Sequence, residues 1–324
     1  MSTRRSIIAQ SAGLLAALGW PRGAGAQGYP ARTIKIVVPF PPGGPGDLVM
    51  RVVQAGMEPM LRQALVVENV PGAGGSLGAA RVKQAEPDGY MLLQVGNPHT
   101  TAAATRPGAA VDLLRDLVPV GDTGQSTFTL CASKELGVAT LAKMIEKAKS
   151  RPGELKIGHI GVGSIHHLIN ELLKSAAGID LGNVPYRGEA QASVDLAAGR
   201  IDLMFLVTAK QLLDEHRVVA LGHTGASSWF NLPGVKPLAQ QGLEDLVVPG
   251  WNGLMAPKST PPAVVDRLSS VLSQTLKTVE AAKAFNAIGL APGTGTPQRL
   301  VALIENDMRL FTTVIRQRQL KFEL

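Results

Sequence analysis

Short apolar runs alternate with amphipathic stretches along most of this chain. Strand-like runs lie at residues 34–38, 65–67, 91–95, 128–131, 155–159, 201–206, 218–222 and 253–256. Between them apolar positions recur at helical spacing. Leu48, Val49, Val52 and Val53 form one stripe, with Asp47 placed to cap it. Leu141, Ile145 and Ala148 form a second, ended by Arg151-Pro152-Gly153; Ile165, Leu168, Ile169, Leu172 and Leu173 form a third, closed by Gly178. Strand and helix in alternation predict an α/β fold with parallel sheets, where ligands bind beyond the carboxyl ends of the strands. Residues 263–288 and 298–320 read as helices that return to pack on a sheet already built. Crossings between two lobes are expected near Thr127 and Trp251. That places 27–127 and 251–324 in lobe 1 and 128–250 in lobe 2.

Two glycine-rich stretches stand where a strand hands over to a helix. Pro39-Phe40-Pro41-Pro42-Gly43-Gly44-Pro45-Gly46-Asp47 follows the first strand, and Asn69-Val70-Pro71-Gly72-Ala73-Gly74-Gly75-Ser76-Leu77-Gly78 follows the second. Glycine lets bare N–H groups face outward, and a helix N-terminus adds partial positive charge. Side by side, the two loops make an anion trap.

Composition narrows the setting. Arg4 and Arg5, the apolar stretch 7–18 and Ala24-Gly25-Ala26 ahead of Gln27 read as a signal peptide spanning residues 1–26. The arginine pair fits either an ordinary secretory signal or a twin-arginine one. The mature protein is therefore expected in the periplasm, and no later apolar run is long enough to hold it in a membrane. Three arginines and no acids leave with the leader, so the formal charge falls from +7 to +4. A mildly positive field favours organic anions. It is too weak for nucleic acid, and aromatics are only 4% of residues, which leaves few platforms for stacking bases. Cys131 is the single cysteine, so no internal disulfide forms, and its strand-like surroundings predict burial.

Catalytic and cofactor motifs fit poorly. In the second loop Gly72 and Gly74 match a dinucleotide fingerprint, but the third glycine, Gly78, falls one residue late. Neither loop ends in the Gly-Lys-Ser/Thr of a phosphate loop. Around Ser164 the two glycines of a nucleophile elbow are replaced by Val162 and His166, so Ser164 reads as a helix cap facing the cleft. His167 and Glu171 stand four apart on a helix without a third metal ligand. No catalytic residue, metal or cofactor is expected.

Seven motifs in order resemble the periplasmic solute-binding receptors of tripartite tricarboxylate transporters, the Bug receptors. They are Tyr29-Pro30 with the run from Ile34 to Gly44; Val67 to Gly75; Pro87-Asp88-Gly89-Tyr90; Gly161-Val162-Gly163-Ser164; Val184-Pro185-Tyr186-Arg187-Gly188; Ile201 to Phe205; and Ala256-Pro257 followed by Thr260-Pro261. The resemblance covers essentially the whole mature chain. It implies a two-lobed Venus-flytrap periplasmic binding protein with a ligand cleft between the lobes and a small organic carboxylate as ligand. Carried over by motif, the first loop grips through Phe40, Gly43, Gly46 and Asp47, and the second through Gly74, Gly75 and Ser76. The other lobe contributes Gly163, Ser164, Tyr186 and Arg187. Asp47 reads either as a ligand contact or as a helix cap, and Arg187 either as a ligand contact or as a surface cation.

Departures from the family pattern bear on the ligand. Gly46 stands where Thr is frequent, and Leu206 where many members carry an Asp that can hold an ammonium group. An apolar-bodied carboxylate without an amino group is therefore expected. His166 stands where Ser is frequent, and the Gly96-Asn97-Pro98-His99-Thr100 loop should bring Asn97 and Thr100 to the cleft, with His99 and His166 both candidates to line it. Lobe closure would capture the ligand for membrane transporter subunits; a ligand-presenting sensor for a membrane kinase and a secreted enzyme are the alternatives. The protein is expected to act as a monomer.

Overall fold

A computed structural model describes residues 28–106, 108 and 111–317 of the chain; the expected signal peptide lies outside the described residues. Its strands are β1 (Ile34–Val38), β2 (Leu65–Asn69), β3 (Met91–Gly96), β4 (Leu117–Thr127), β5 (Thr129–Ser133), β6 (Lys156–His159), β7 (Gly182–Pro185), β8 (Leu203–Leu206), β9 (Val218–His223), β10 (Pro249–Pro257) and β11 (Ala291–Pro292). The helices are α1 (Pro45–Leu61), α2 (Ser76–Lys83), α3 (Asn97–Thr105), α4 (Leu113–Asp116), α5 (Leu141–Ser150), α6 (Ile165–Ala177), α7 (Glu189–Ala197), α8 (Lys210–Asp214), α9 (Pro262–Leu276), α10 (Val279–Ala287) and α11 (Pro297–Gln317).

Two sheets organise two lobes. The first runs β11-β4-β10-β3-β1-β2 and the second β7-β6-β8-β5-β9. Each carries an apolar cluster on both faces. In the first lobe Val49, Met50, Val53 and Met57 of α1 pack with Leu268, Val271 and Leu272 of α9 on one face, and Trp251, Leu300 and Leu303 meet on the other. In the second lobe α6 buries Ile165, Leu168, Ile169, Leu172 and Leu173 in one cluster, the stripe its spacing predicts.

The expected parallel sheets prove to be mixed. β1 pairs in parallel with β2 and β3, and β6 with β7 and β8. β10, however, is antiparallel to β3 and β4, and β5 is antiparallel to β8 and β9. The reason is directional. The loop-bearing strands end at the cleft, whereas β5 and β10 begin there, just after the chain has crossed. β4 ends at Thr127 and β5 starts at Thr129, so Phe128 alone separates strands of different sheets.

The assignment of 251–324 wholly to lobe 1 does not hold along α11. Leu300, Leu303 and Ile304 sit in the first lobe's core, but Phe311 is fully buried in the second lobe's core, with Leu310, Val314 and Ile315 against it. Burying Phe311 contributes roughly 1.5–3 kcal/mol. Between these two apolar patches lies Asp307, 3% exposed. Its Oδ2 accepts from Asn97 Nδ2 at 2.9 Å, Thr100 Oγ1 at 2.7 Å and Trp251 Nε1 at 2.9 Å. Burial raises its pKa to about 6, with those three donors opposing the rise.

Candidate binding site

A cavity of about 680 Å³ lies between the lobes. Lobe 1 supplies Phe40 and Gly46 from the first loop, Gly72–Gly75 from the second, Gln94 and Asn252 from its sheet, and Asn97 from the start of α3. Lobe 2 supplies Ile160, Ile165, His166, Arg187, Glu189 and Val207, and Ser126 and Phe128 stand at the crossing. The lobes approach closely around it. Thr105 Oγ1 lies 3.4 Å from Gly163 O, and a Cβ on Gly188 would be 3.9 Å from Pro41 Cγ.

The loops owe their shape to buried polar ties. Asp47 is 2% exposed; its Oδ2 accepts from Gly43 N at 3.0 Å and Arg51 Nε at 2.9 Å, and its Oδ1 accepts from Asn69 Nδ2 at 3.1 Å. Burial works to raise its pKa, but the Arg51, Gly43 and Asn69 donors prevail and lower it. Asn69 Nδ2 also donates to Phe40 O. Asp47 therefore fastens the first loop rather than facing the cavity, and Gly43 is part of that fastening. In the second loop Gly72, Ala73, Gly74 and Gly75 all have positive φ, a succession that can turn N–H groups toward one concavity. Gly75 stands at φ +97°, and a Cβ there would lie 3.1 Å from Phe40 Cζ and 3.5 Å from His99 Nε2. Ser76 begins α2 and does not line the cavity. At Gly46 a Cβ would fall 2.8 Å from Gln94 Oε1, so Gln94 occupies the room a larger residue would need.

His99 stands 6% exposed behind the second loop, edge-on to Phe40. Burial lowers its pKa to about 4 and keeps the ring neutral at physiological pH. Nδ1 lies 3.2 Å from Gly96 N and 3.3 Å from Gly96 O, contacts that suit opposite tautomers, while Nε2 is buried with no protein partner. Nε2 is thus an unpartnered polar atom beside the glycine loop. His166 lines the opposite wall, edge-on to Phe128, with neither ring nitrogen hydrogen-bonded; its Nε2 is 3.5 Å from Glu189 Oε2.

Several expected contacts are corrected. Leu206 is fully buried in the lobe core with Met204 and Cys131, because alternate residues of β8 face opposite ways; the next residue, Val207, lines the cavity. Thr100 turns to Asp307. Tyr186 donates its hydroxyl to Asp195 at 3.0 Å, and burial together with that carboxylate pushes its pKa up to about 12. Gly163 N donates to His167 Nδ1, and Ser164 Oγ accepts from His167 N as the cap of α6. Asn97 reaches the cavity, but its amide is committed to Pro249 O, Asp307 and Trp251 N. Phe40, Gly46, Gly74, Gly75, Asn97, His166 and Arg187 do come together at the cavity. Sequence reasoning missed Gln94, Phe128, Glu189 and Asn252. Glu189 directly follows the Tyr186-Arg187-Gly188 motif, and that position was the one available signal.

Two α/β lobes joined by adjacent strands, with a cavity between them floored by glycine loops, define a two-lobed solute-binding protein of the Venus-flytrap class. The tripartite tricarboxylate transporter family receptor model matches residues 49–320, and the chain belongs to that family. It is 31% identical over 296 residues to protein BugT of Bordetella pertussis, covering 90% of this chain and 91% of BugT. The structure of the periplasmic binding protein BugD is 28% identical with TM-score 0.85, covering 91% of this chain and 100% of BugD. MatC of Rhodopseudomonas palustris with bound malate is 30% identical, TM-score 0.83, covering 89% of this chain and 100% of MatC. Rpa4515 of R. palustris with adipate is 29% identical, TM-score 0.84, covering 89% and 97%.

Proposed function

We propose that this protein is an exported receptor that captures a small organic carboxylate by lobe closure and delivers it to the membrane subunits of a tripartite transporter. The observation that carries the reading is the pair of glycine loops lining one side of an interlobe cavity, with the unpartnered Nε2 of His99 behind them. Malate in MatC and adipate in Rpa4515 support a carboxylate as the ligand class. The leader read in residues 1–26 and the periplasmic description of BugD support export. Binding without chemistry fits the fate of Ser164, whose hydroxyl caps α6. A thermal-shift screen tests the reading. A bound carboxylate at a hundredfold excess over Kd adds about 2.7 kcal/mol of stability. Shifts produced by nucleotides or metal ions alone, with none from carboxylates, would refute it.

A further inference from the structure

We propose that Glu189 holds a cationic nitrogen at the far end of the ligand, so that the cargo is a zwitterion whose ammonium stands apart from its carboxylate, an ω-amino acid, rather than a plain mono- or dicarboxylate. This rests on the carboxylate-receptor reading and deepens it. Glu189 is 5% exposed and lines the interlobe cavity opposite the glycine loops. Its two oxygens have different roles. Oε1 accepts from Val207 N at 3.0 Å, Thr208 N at 2.8 Å and Thr208 Oγ1 at 2.8 Å, which fastens the start of α7 to the end of β8. Oε2 is buried and has no hydrogen-bond partner. Its neighbour is His166 Nε2 at 3.5 Å, itself without a hydrogen bond.

The structural task of Glu189 is therefore complete with one oxygen, and the other is left for something that enters the cavity. Burial works to raise the pKa of this carboxyl, yet the His166 ring and the Thr208 donors outweigh it and hold the group ionised. An ionised oxygen whose nearest protein partner is His166 Nε2 at 3.5 Å, in a cavity that Ile165, Phe128 and Val207 also line, is costly unless a closer donor meets it, and a charged donor meets it best. Arg187 shares the cavity, but no ion pair joins it to Glu189 among the described residues. A ligand anchored by its carboxylate on the glycine loops would bring its far end to Glu189. An ammonium there completes the pair, whereas a second carboxylate meets a like charge. The expectation drawn from Leu206 is reversed: the acid for an ammonium group is present, but it comes from the start of α7.

The test is calorimetry on the wild type with ω-amino acids of three to eight carbons, each beside its deaminated acid, the hydroxy acid and the dicarboxylate of equal length. At least one amino acid is expected to bind about tenfold or more tighter than all three of its counterparts. In Glu189→Gln, which keeps the Oε1 acceptor and replaces only the free oxygen, that ratio is expected to fall below about threefold. Deaminated, hydroxy or dicarboxylic acids that match the amino acid at every length overturn the proposal and leave the carboxylate-receptor reading standing. An amino-acid preference that survives Glu189→Gln overturns it too. Binding by none of the compounds overturns both. Should the variant not fold, the wild-type ranking decides alone.

Discussion

Replacing Asp307 by Asn should make the protein more stable, and increasingly so as pH rises. Asp307 sits 3% exposed on α11 between the two lobe cores, and one oxygen accepts from Asn97, Thr100 and Trp251. Burial raises its pKa from 3.8 to about 6. Folding therefore favours the protonated form. The group's contribution to stability is complete below about 3.8 and is lost as pH rises through about 6. That difference corresponds to roughly 3 kcal/mol at ~1.4 kcal/mol per pH unit. Asp307→Asn keeps an acceptor oxygen for the three donors and stays neutral at every pH. Its stability relative to wild type should grow by roughly 2–3 kcal/mol between pH 4 and pH 7, and then level off. Urea unfolding of both proteins across this range measures it, because other titrating groups cancel in the difference. A difference that stays flat, or shrinks with pH, would refute the reasoning.

Gly75→Ala should cost about 1–2 kcal/mol of stability, since its φ of +97° is unfavourable for a residue with a Cβ. It should also weaken carboxylate binding, because that Cβ crowds Phe40 beside His99; unchanged affinity in calorimetry would remove this loop from the site. Leu206→Asp should destabilise the fold by several kcal/mol, of the order of an unpaired buried charge, without altering the ranking of ligands. Val207→Ala, at the cavity wall just after β8, should change affinity with little loss of stability; melting curves and titrations of the pair distinguish the core position from the cavity position. Cys131 is fully buried, and burial with the nearby Glu189 charge pushes its thiol pKa up. A thiol reagent should label it only under unfolding conditions, and rapid labelling of the native protein would contradict that.

The regular parts of this fold were legible because they repeat. The α6 stripe, the α9 face and the two strand-to-helix glycine loops all stand where periodicity and glycine chemistry place them. β4 was not legible. Pro119, Gly121 and Gly124 make it read as a loop, yet it is an eleven-residue interior strand whose ladder with β10 shifts register twice. The cavity residues divide in the same way. Glycines whose backbone is their function were found, but polar side chains near them were assigned to the ligand when other protein groups hold them. Asp47 is bonded to Gly43 and Asn69, Thr100 to Asp307, and Tyr186 to Asp195. Those partners are 4 to 207 residues away along the chain, and local pattern does not rank them. Leu206 against Val207 was a question of strand phase, which one position decides. Glu189 reads as an ordinary acid in the first turn of a helix until the fold buries it in the cleft.

The proposed receptor function requires that the glycine loops recognise a carboxylate as an anion. Calorimetric titration with the carboxylate that stabilises the protein most, beside its primary amide of nearly identical shape, tests this most directly. One site per chain is expected, with an affinity for the carboxylate at least about a hundredfold above that for the amide, equivalent to ~2.7 kcal/mol. An amide that binds as tightly as the acid would contradict it.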